Sequence, residues 1–347
     1  MFLYNFWLQQ ALAILKRMHR LIIPLERVSR HLTAGFASGI FCEEKGPIAR
    51  ILISNPRSLN SLSLEMMRDL QRQVDRIKGE SKIRVVLFKG EGDKAFCSGG
   101  DMKSLYTEKT SGNPKIAETF FREVHTLVYA IATMKPVQVS IWKGFVMGAG
   151  AGISFFGDFK IATCTTVFGM PLAKLSFNCA VGGAFFLSKL PGQIGLYLAM
   201  TSRSLRGKEA QALGISDYFV PLDRLEALEA DLMKNVGDSA EEESVRRIVA
   251  KYSEQVEFKY PNEGLINDAF GQPNVQGIRK RLISMSSEWS LETLKELDSL
   301  NPFVLEVIFE QFKKARSLSL KENLQLDFAL AMKQAHFSFQ KTGGFLA

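Results

Sequence analysis

Between residues 48 and 162 the apolar positions of this chain fall into two alternating rhythms. Short apolar runs at 48–54, 84–89, 137–142 and 159–162 read as strands. Between the first two, Met67, Leu70, Val74 and Ile77 recur three and four residues apart, the spacing of one helix face. Ser63 is placed to cap that helix, and Glu65 lies in its first turn. Residues 111–134 carry a second helical pattern, closed at Lys135-Pro136 because proline disfavours α geometry in the residue before it. Strands that alternate with amphipathic helices predict an α/β fold, a helix-covered sheet built from βα repeats. Beyond Asp223 the pattern turns charged and helical, with helices expected at 224–235 and 239–256. A Pro/Gly/Asn-rich stretch at 260–277 separates these from a last helical region that opens at Asn301-Pro302.

Glycine is concentrated in Met147-Gly148-Ala149-Gly150-Ala151-Gly152 and at Gly182-Gly183, where a strand would hand over to a helix and backbone must approach a ligand closely. The first run fits no dinucleotide fingerprint, and the chain has no Walker pattern. Beside it stand Ala95-Phe96-Cys97-Ser98-Gly99-Gly100-Asp101 and Met170-Pro171-Leu172-Ala173-Lys174-Leu175-Ser176-Phe177-Asn178-Cys179-Ala180-Val181. Together with Asn55-Pro56-Arg57-Ser58-Leu59-Asn60-Ser61-Leu62 and the stretch 201–221, these runs resemble the crotonase (enoyl-CoA hydratase/isomerase) superfamily, nearest to its 3-hydroxyisobutyryl-CoA hydrolase branch. The resemblance covers residues from about 40 to 335.

The resemblance implies the crotonase (ClpP/crotonase-like) fold, a ββα superhelix with a C-terminal helical region. It divides the chain into a core at 36–235 and the hydrolase branch's helical extension at 236–347, which would include 324–329. It also implies that Gly100 and Ala149 supply two backbone N–H groups to a thioester oxygen, as preorganised donors do where negative charge develops. At Ala149 the family has glycine, so a methyl there is expected to crowd the acyl group or to force a different φ.

The chemistry expected beside those donors is missing. Where the family places a glutamate the chain has Leu172, and where it places an aspartate the chain has Ala180. Neither residue activates water or attacks a carbonyl. Related hydratases carry a second glutamate at the position of Gly152. Asp101 and Asp158 are the nearest acids, the first expected to be structural and the second at the start of a strand; a catalytic role for either stays open. Lys174 and Asn178, on the same expected helix, make the cavity floor polar without supplying a base at neutral pH. Cys179 is a conceivable substitute nucleophile, with no histidine near it in sequence to activate it. At the C-terminus His336-Phe337-Ser338-Phe339-Gln340-Lys341-Thr342-Gly343-Gly344 departs from the branch's pattern, which puts CoA binding in doubt together with catalysis.

Composition narrows the remaining classes. With 46% hydrophobic residues in 347 the chain can build a sizeable core. Cys42, Cys97, Cys164 and Cys179 show no paired short spacing, and His19, His31, His125 and His336 are scattered, so neither a disulfide framework nor a metal site is expected. The net charge is +8. Residues 1–35 hold Lys16, Arg17, Arg20, Arg27 and Arg30 against Glu26, with Leu12, Leu15, Met18 and Ile22 at helical spacing. That pattern fits a mitochondrial targeting segment, or else an ordinary amphipathic helix; its apolar start is short for a membrane span. The expected location is the mitochondrial matrix.

A basic, carboxylate-less member of this branch resembles those built into the small subunit of mitochondrial ribosomes. That likeness implies a pseudoenzyme among ribosomal proteins and rRNA. Arg246, Arg247, Arg279, Lys280, Arg281, Lys313, Lys314 and Arg316 are candidate phosphate or partner contacts, or else a solvated helix face. The rival expectation is an active acyl-CoA hydrolase or enoyl-CoA hydratase of valine or fatty-acid catabolism, and a third is a CoA-sensing protein outside the ribosome. No resident cofactor is expected beyond residual CoA-thioester binding.

Overall fold

The computed structural model describes residues 39–113, 115–237 and 241–341; the expected targeting segment 1–35 lies outside them. Two sheets organise the chain. One has the order β1 (Gly39–Lys45), β2 (Ile48–Ser54), β3 (Val85–Gly90), β5 (Val137–Trp142), β7 (Phe159–Ala162), β10 (Tyr218–Phe219). Only the first pair is antiparallel. The smaller sheet has the order β4 (Ala95–Cys97), β6 (Phe145–Met147), β8 (Val167–Gly169), β9 (Ser204–Arg206), parallel except at its last pair.

The parallel strands are apolar almost throughout because both faces of the large sheet are covered. Successive side chains point to opposite faces. Val85 and Leu87 therefore join one core with Leu225, Leu228 and Leu232 of α8 (Leu222–Asn235) and Val245 and Val249 of α9 (Glu242–Tyr252). Val86 and Phe88 join the other, larger core with α1 (Leu64–Gly79) and α3 (Ile116–Ala132). The predicted cap of α1 is present, since Ser63 Oγ accepts from Met66 N at 3.1 Å.

The remaining helices are α2 (Met102–Thr110), α4 (Ala149–Phe155), α5 (Gly183–Leu187), α6 (Ile194–Thr201), α7 (Gly207–Ala212), α10 (Glu263–Phe270), α11 (Val275–Met285), α12 (Glu288–Asp298), α13 (Pro302–Ala315) and α14 (Leu320–Lys341). Ile308, Phe312, Leu324 and Ala331 of the last two are fully or nearly fully buried in the same core as Met67 and Val128. The C-terminal helices thus build part of the main core.

Three expectations need correction. The helix expected over 111–134 begins only at Ile116, because Gly112 takes φ +103 and closes α2 before it. The segment expected to be helical over 239–256 is α9 at Glu242–Tyr252. The stretch 260–277 is not a plain separator, since it contains α10 and the start of α11. Its breaker residues stand at helix starts: Asn262 precedes α10 at φ +60 without a side-chain cap, and Asn274 caps α11, its Oδ1 accepting from Gly277 N at 2.8 Å.

Candidate functional site

Strands β4 and β6 are parallel neighbours, so the loops that follow them leave from the same end of the small sheet, the place where α/β proteins build sites. The loops touch through glycine. A Cβ on Gly99, which takes φ +113, would stand 3.1 Å from Met147 O and 3.6 Å from Ala149 N. One on Gly150 would stand 2.2 Å from Cys97 O, so only glycine permits this approach.

Around Gly100 the backbone is pinned on both sides. Leu62 N donates to Gly99 O at 2.8 Å, and Asp101 N donates to Leu62 O at 2.9 Å. The ring of Phe120 lies over Gly100, with Cζ 2.5 Å from where a Cβ would be. Gly100 N–H itself, and Ala149 N–H at the first position of α4, donate to no acceptor among the described residues. Ala149 is not among the residues at positive φ, so its methyl sits on a backbone open to any L-residue.

The acids of these loops have structural duties. Asp101 caps α2, accepting from Ser104 N at 3.0 Å and Ser104 Oγ at 2.6 Å. Asp158 Oδ2 accepts from Gln138 N at 2.8 Å. Cys179 is buried, and burial together with the nearby Asp327 carboxylate raises its thiol well above the ordinary range. A thiol so placed is inert. Cys179→Ser is expected to leave any thioester hydrolysis by the chain unchanged, as thiol release from an acyl-CoA would show.

Leu172 sits half-buried in a 3₁₀ turn, Pro171–Leu175, against the main core, whereas Lys174 on the same turn points to solvent. Asn178 lies beyond that turn and is completely buried, so the two residues do not share a helix or a polar cavity floor. Ala180 follows in a tight loop and is 4% exposed. At Gly152 the space is filled: an added Cβ would be 2.8 Å from Val181 O, 2.9 Å from Val181 Cβ and 3.2 Å from Val128 Cγ2. Gly152→Glu is therefore expected to destabilise the fold by about 3 kcal/mol or more in denaturant titration, through overpacking, and to confer no hydratase activity.

Sequence reasoning missed the residues that shape the 178–182 loop. Asn178 N donates to Gln334 Oε1 at 2.8 Å and Cys179 N to Gln311 Oε1 at 3.1 Å. Val181 N donates to His125 Nε2 at 3.3 Å and Gly182 N to Asp327 Oδ2 at 2.8 Å. Burial pushes the His125 imidazole down to about 4, and its other ring nitrogen lies 2.6 Å from Phe121 O. Burial raises the Asp327 carboxyl to about 7, against the opposing pull of Gly182 N–H and Gln311. A signal existed in the buried stripe Asn323, Asp327, Ala331, Gln334, whose helical spacing marks a core face with polar members.

Most of the basic candidates are engaged within the chain. Arg246 pairs with Glu242 and Glu243, Arg279 with Asp298, Arg281 with Asp268 at 2.5 Å, and Lys313 with Glu310 at 2.7 Å. Arg316 donates to Ser188 O and Gly192 O, both at 3.2 Å. Arg247, Lys280 and Lys314 are exposed and form no ion pair among the described residues. Among those residues no helix is long and apolar enough to cross a membrane.

The family model for enoyl-CoA hydratase/isomerase matches residues 48–340. The mitochondrial 3-hydroxyisobutyryl-CoA hydrolase of Dictyostelium discoideum is 36% identical over 308 residues, covering 84% of this chain and 80% of that protein. Its human counterpart is 30% identical, with 88% and 80% covered. Among solved structures, a carnitinyl-CoA dehydratase from Mycobacterium thermoresistibile superposes with a TM-score of 0.79 at 24% identity over 86% of both chains. This last likeness shows the fold.

Proposed function

Because this chain belongs to the enoyl-CoA hydratase/isomerase family, and within it is like the 3-hydroxyisobutyryl-CoA hydrolases, we propose that it keeps a frame for a CoA thioester and no longer hydrolyses one. The observation that carries the reading is the pairing of two unclaimed N–H donors, Gly100 and Ala149, with hydrocarbon at Leu172 and Ala180. Two donors on a thioester oxygen favour its polarised form, but hydrolysis also needs a group that takes a proton from water. Asp101, Asp158 and His125 are each held in structural hydrogen bonds, and Cys179 is buried. Loss of one such catalytic group lowers a rate by several powers of ten.

The chain's use in the cell is then structural. We propose a place in the small subunit of the mitochondrial ribosome, with Arg247, Lys280 and Lys314 the basic side chains free for phosphate or partner contacts, while Arg246, Arg279, Arg281 and Lys313 are ion-paired and Arg316 is bonded to backbone carbonyls. The net charge of +8 and the mitochondrial relatives support this reading. Gradient sedimentation of a mitochondrial lysate tests it. Co-migration with small-subunit rRNA that collapses when magnesium is chelated is expected; migration as a free protein contradicts the ribosomal role. The rival reading, an active acyl-CoA hydrolase or enoyl-CoA hydratase, is favoured by the same donor pair; thiol release from the thioester tests the hydrolase and loss of the conjugated enoyl-thioester absorbance tests the hydratase.

A further inference from the structure

The loop that carries Ala180 is held from behind by side chains of three other elements. Of the five backbone N–H groups at 178–182, four donate to buried side chains: Gln334 and Asp327 of α14, Gln311 of α13 and His125 of α3. The fifth, Ala180 N, donates to Asn178 O at 2.8 Å. Gln311 closes the arrangement, its Nε2 donating to Cys179 O at 3.1 Å and to Asp327 Oδ1 at 2.6 Å. Both oxygens of Asp327 are therefore in use, and none of its surface is exposed.

The backbone so held is one the chain would not adopt unaided. Val181 is β-branched and has φ +54, followed by Gly182 at φ +81. A β-branched residue in the left-handed region persists only where its surroundings over-determine it. In that conformation Val181 packs against Gly152, whose Cβ, if present, would be 2.9 Å from Val181 Cβ. Gly152 N in turn donates to Gly148 O at 3.0 Å, within the first turn of the helix that begins at Ala149. Contacts thus run without a gap from α14 through Gly182 and Val181 to the turn that aims Ala149 N–H.

We propose that Asp327, with Gln311, is a positioning residue: the C-terminal helix α14 fixes the 178–182 loop and, through Val181, the seat of α4. The part of this inference that concerns a ligand rests on the thioester reading of Gly100 and Ala149. Asp327 touches no ligand and acts only through the loop. A residue that merely filled space would be replaced without local effect by leucine, whereas Asp327→Leu leaves Gly182 N–H without its acceptor and Gln311 Nε2 with Cys179 O alone.

Hydrogen exchange of the full chain, read by mass spectrometry, tests the inference. The variants are Asp327→Leu, Asp327→Asn, Gln311→Met and, as a control, Leu232→Ala in the core on the opposite face of the sheet. Segments 178–183 and 148–153 are expected to exchange at least about tenfold faster in Asp327→Leu and in Gln311→Met, and by less in Asp327→Asn, while Leu232→Ala favours neither segment. If Asp327→Leu does not fold, the other two variants carry the comparison. Unchanged exchange in both segments, or a uniform rise like that of the control, overturns the positioning role. In parallel, a non-hydrolysable thioether analogue of an acyl-CoA is titrated calorimetrically, and binding is expected to weaken about tenfold in Asp327→Asn but not in Leu232→Ala. A wild-type chain that fails to bind the analogue overturns the thioester reading alone, because the exchange pattern decides the positioning role without a ligand.

Discussion

Leu172→Glu combined with Ala180→Asp is expected to release thiol from 3-hydroxyisobutyryl-CoA at least about a hundredfold faster than the wild-type chain. The N–H groups of Gly100 and Ala149 have no other acceptor among the described residues, and the backbone on either side of Gly100 is pinned by Leu62. Leu172 stands in a turn with part of its surface exposed, so a carboxylate there is not forced into a closed core. Ala180 lies in a loop whose neighbouring N–H groups are fixed by other elements, so its Cβ direction does not depend on its own side chain. Each single substitution is expected to gain far less than the pair, because groups that act as a unit are not additive. A folded double variant without a gain would mean that the N–H pair is not aimed at a carbonyl.

Asp327 is expected to make the chain less stable as pH rises through the range 4 to 7. Its folded carboxyl is raised to about 7 from an ordinary 3.8. Between those values the unfolded chain is ionised and the folded one still holds the proton, so each unit of pH favours unfolding. The contribution is fully present below the unfolded value, falls across the window and is gone above about 7. A shift of about three units corresponds to about 4 kcal/mol, and no solvent screening reduces it because Asp327 is completely buried. The titratable group facing it is Cys179, held protonated by burial; Gln311 and Gly182 supply uncharged donors, and His125, bonded to the same loop, is held neutral by burial. Urea titrations from pH 4 to 8 of the wild type and of Asp327→Asn are expected to diverge in slope, the variant lacking this decline. Parallel curves would show that Asp327 stays ionised throughout.

The parts of the fold written in local pattern were legible in sequence. The central strands at 48–54, 137–142 and 159–162, the strand read as 84–89 and found at 85–90, and the helix after Ser63 follow from periodicity and a capping residue. Glycine runs between a strand and a helix marked where two loops approach closely, because only glycine permits that approach at Gly99 and Gly150. Breakers misled where they stand at a helix start, at Asn262 and Asn274, and where Gly112, at φ +103, ends one helix just before the next. The cradle behind Ala180 was not legible. Its side-chain bonds to the loop join residues 56 to 156 positions apart, and a buried aspartate or glutamine looks in sequence like any polar residue on a helix.

Thiol release from 3-hydroxyisobutyryl-CoA, followed with the thioester in excess over the wild-type chain, tests the central claim most directly. The prediction is release at the rate of buffer alone while the thioester raises the chain's melting temperature by mass action. Turnover on the order of 1 per second or faster, the ordinary range of enzymes, would contradict it and identify the chain as a hydrolase with a base other than the two missing carboxylates.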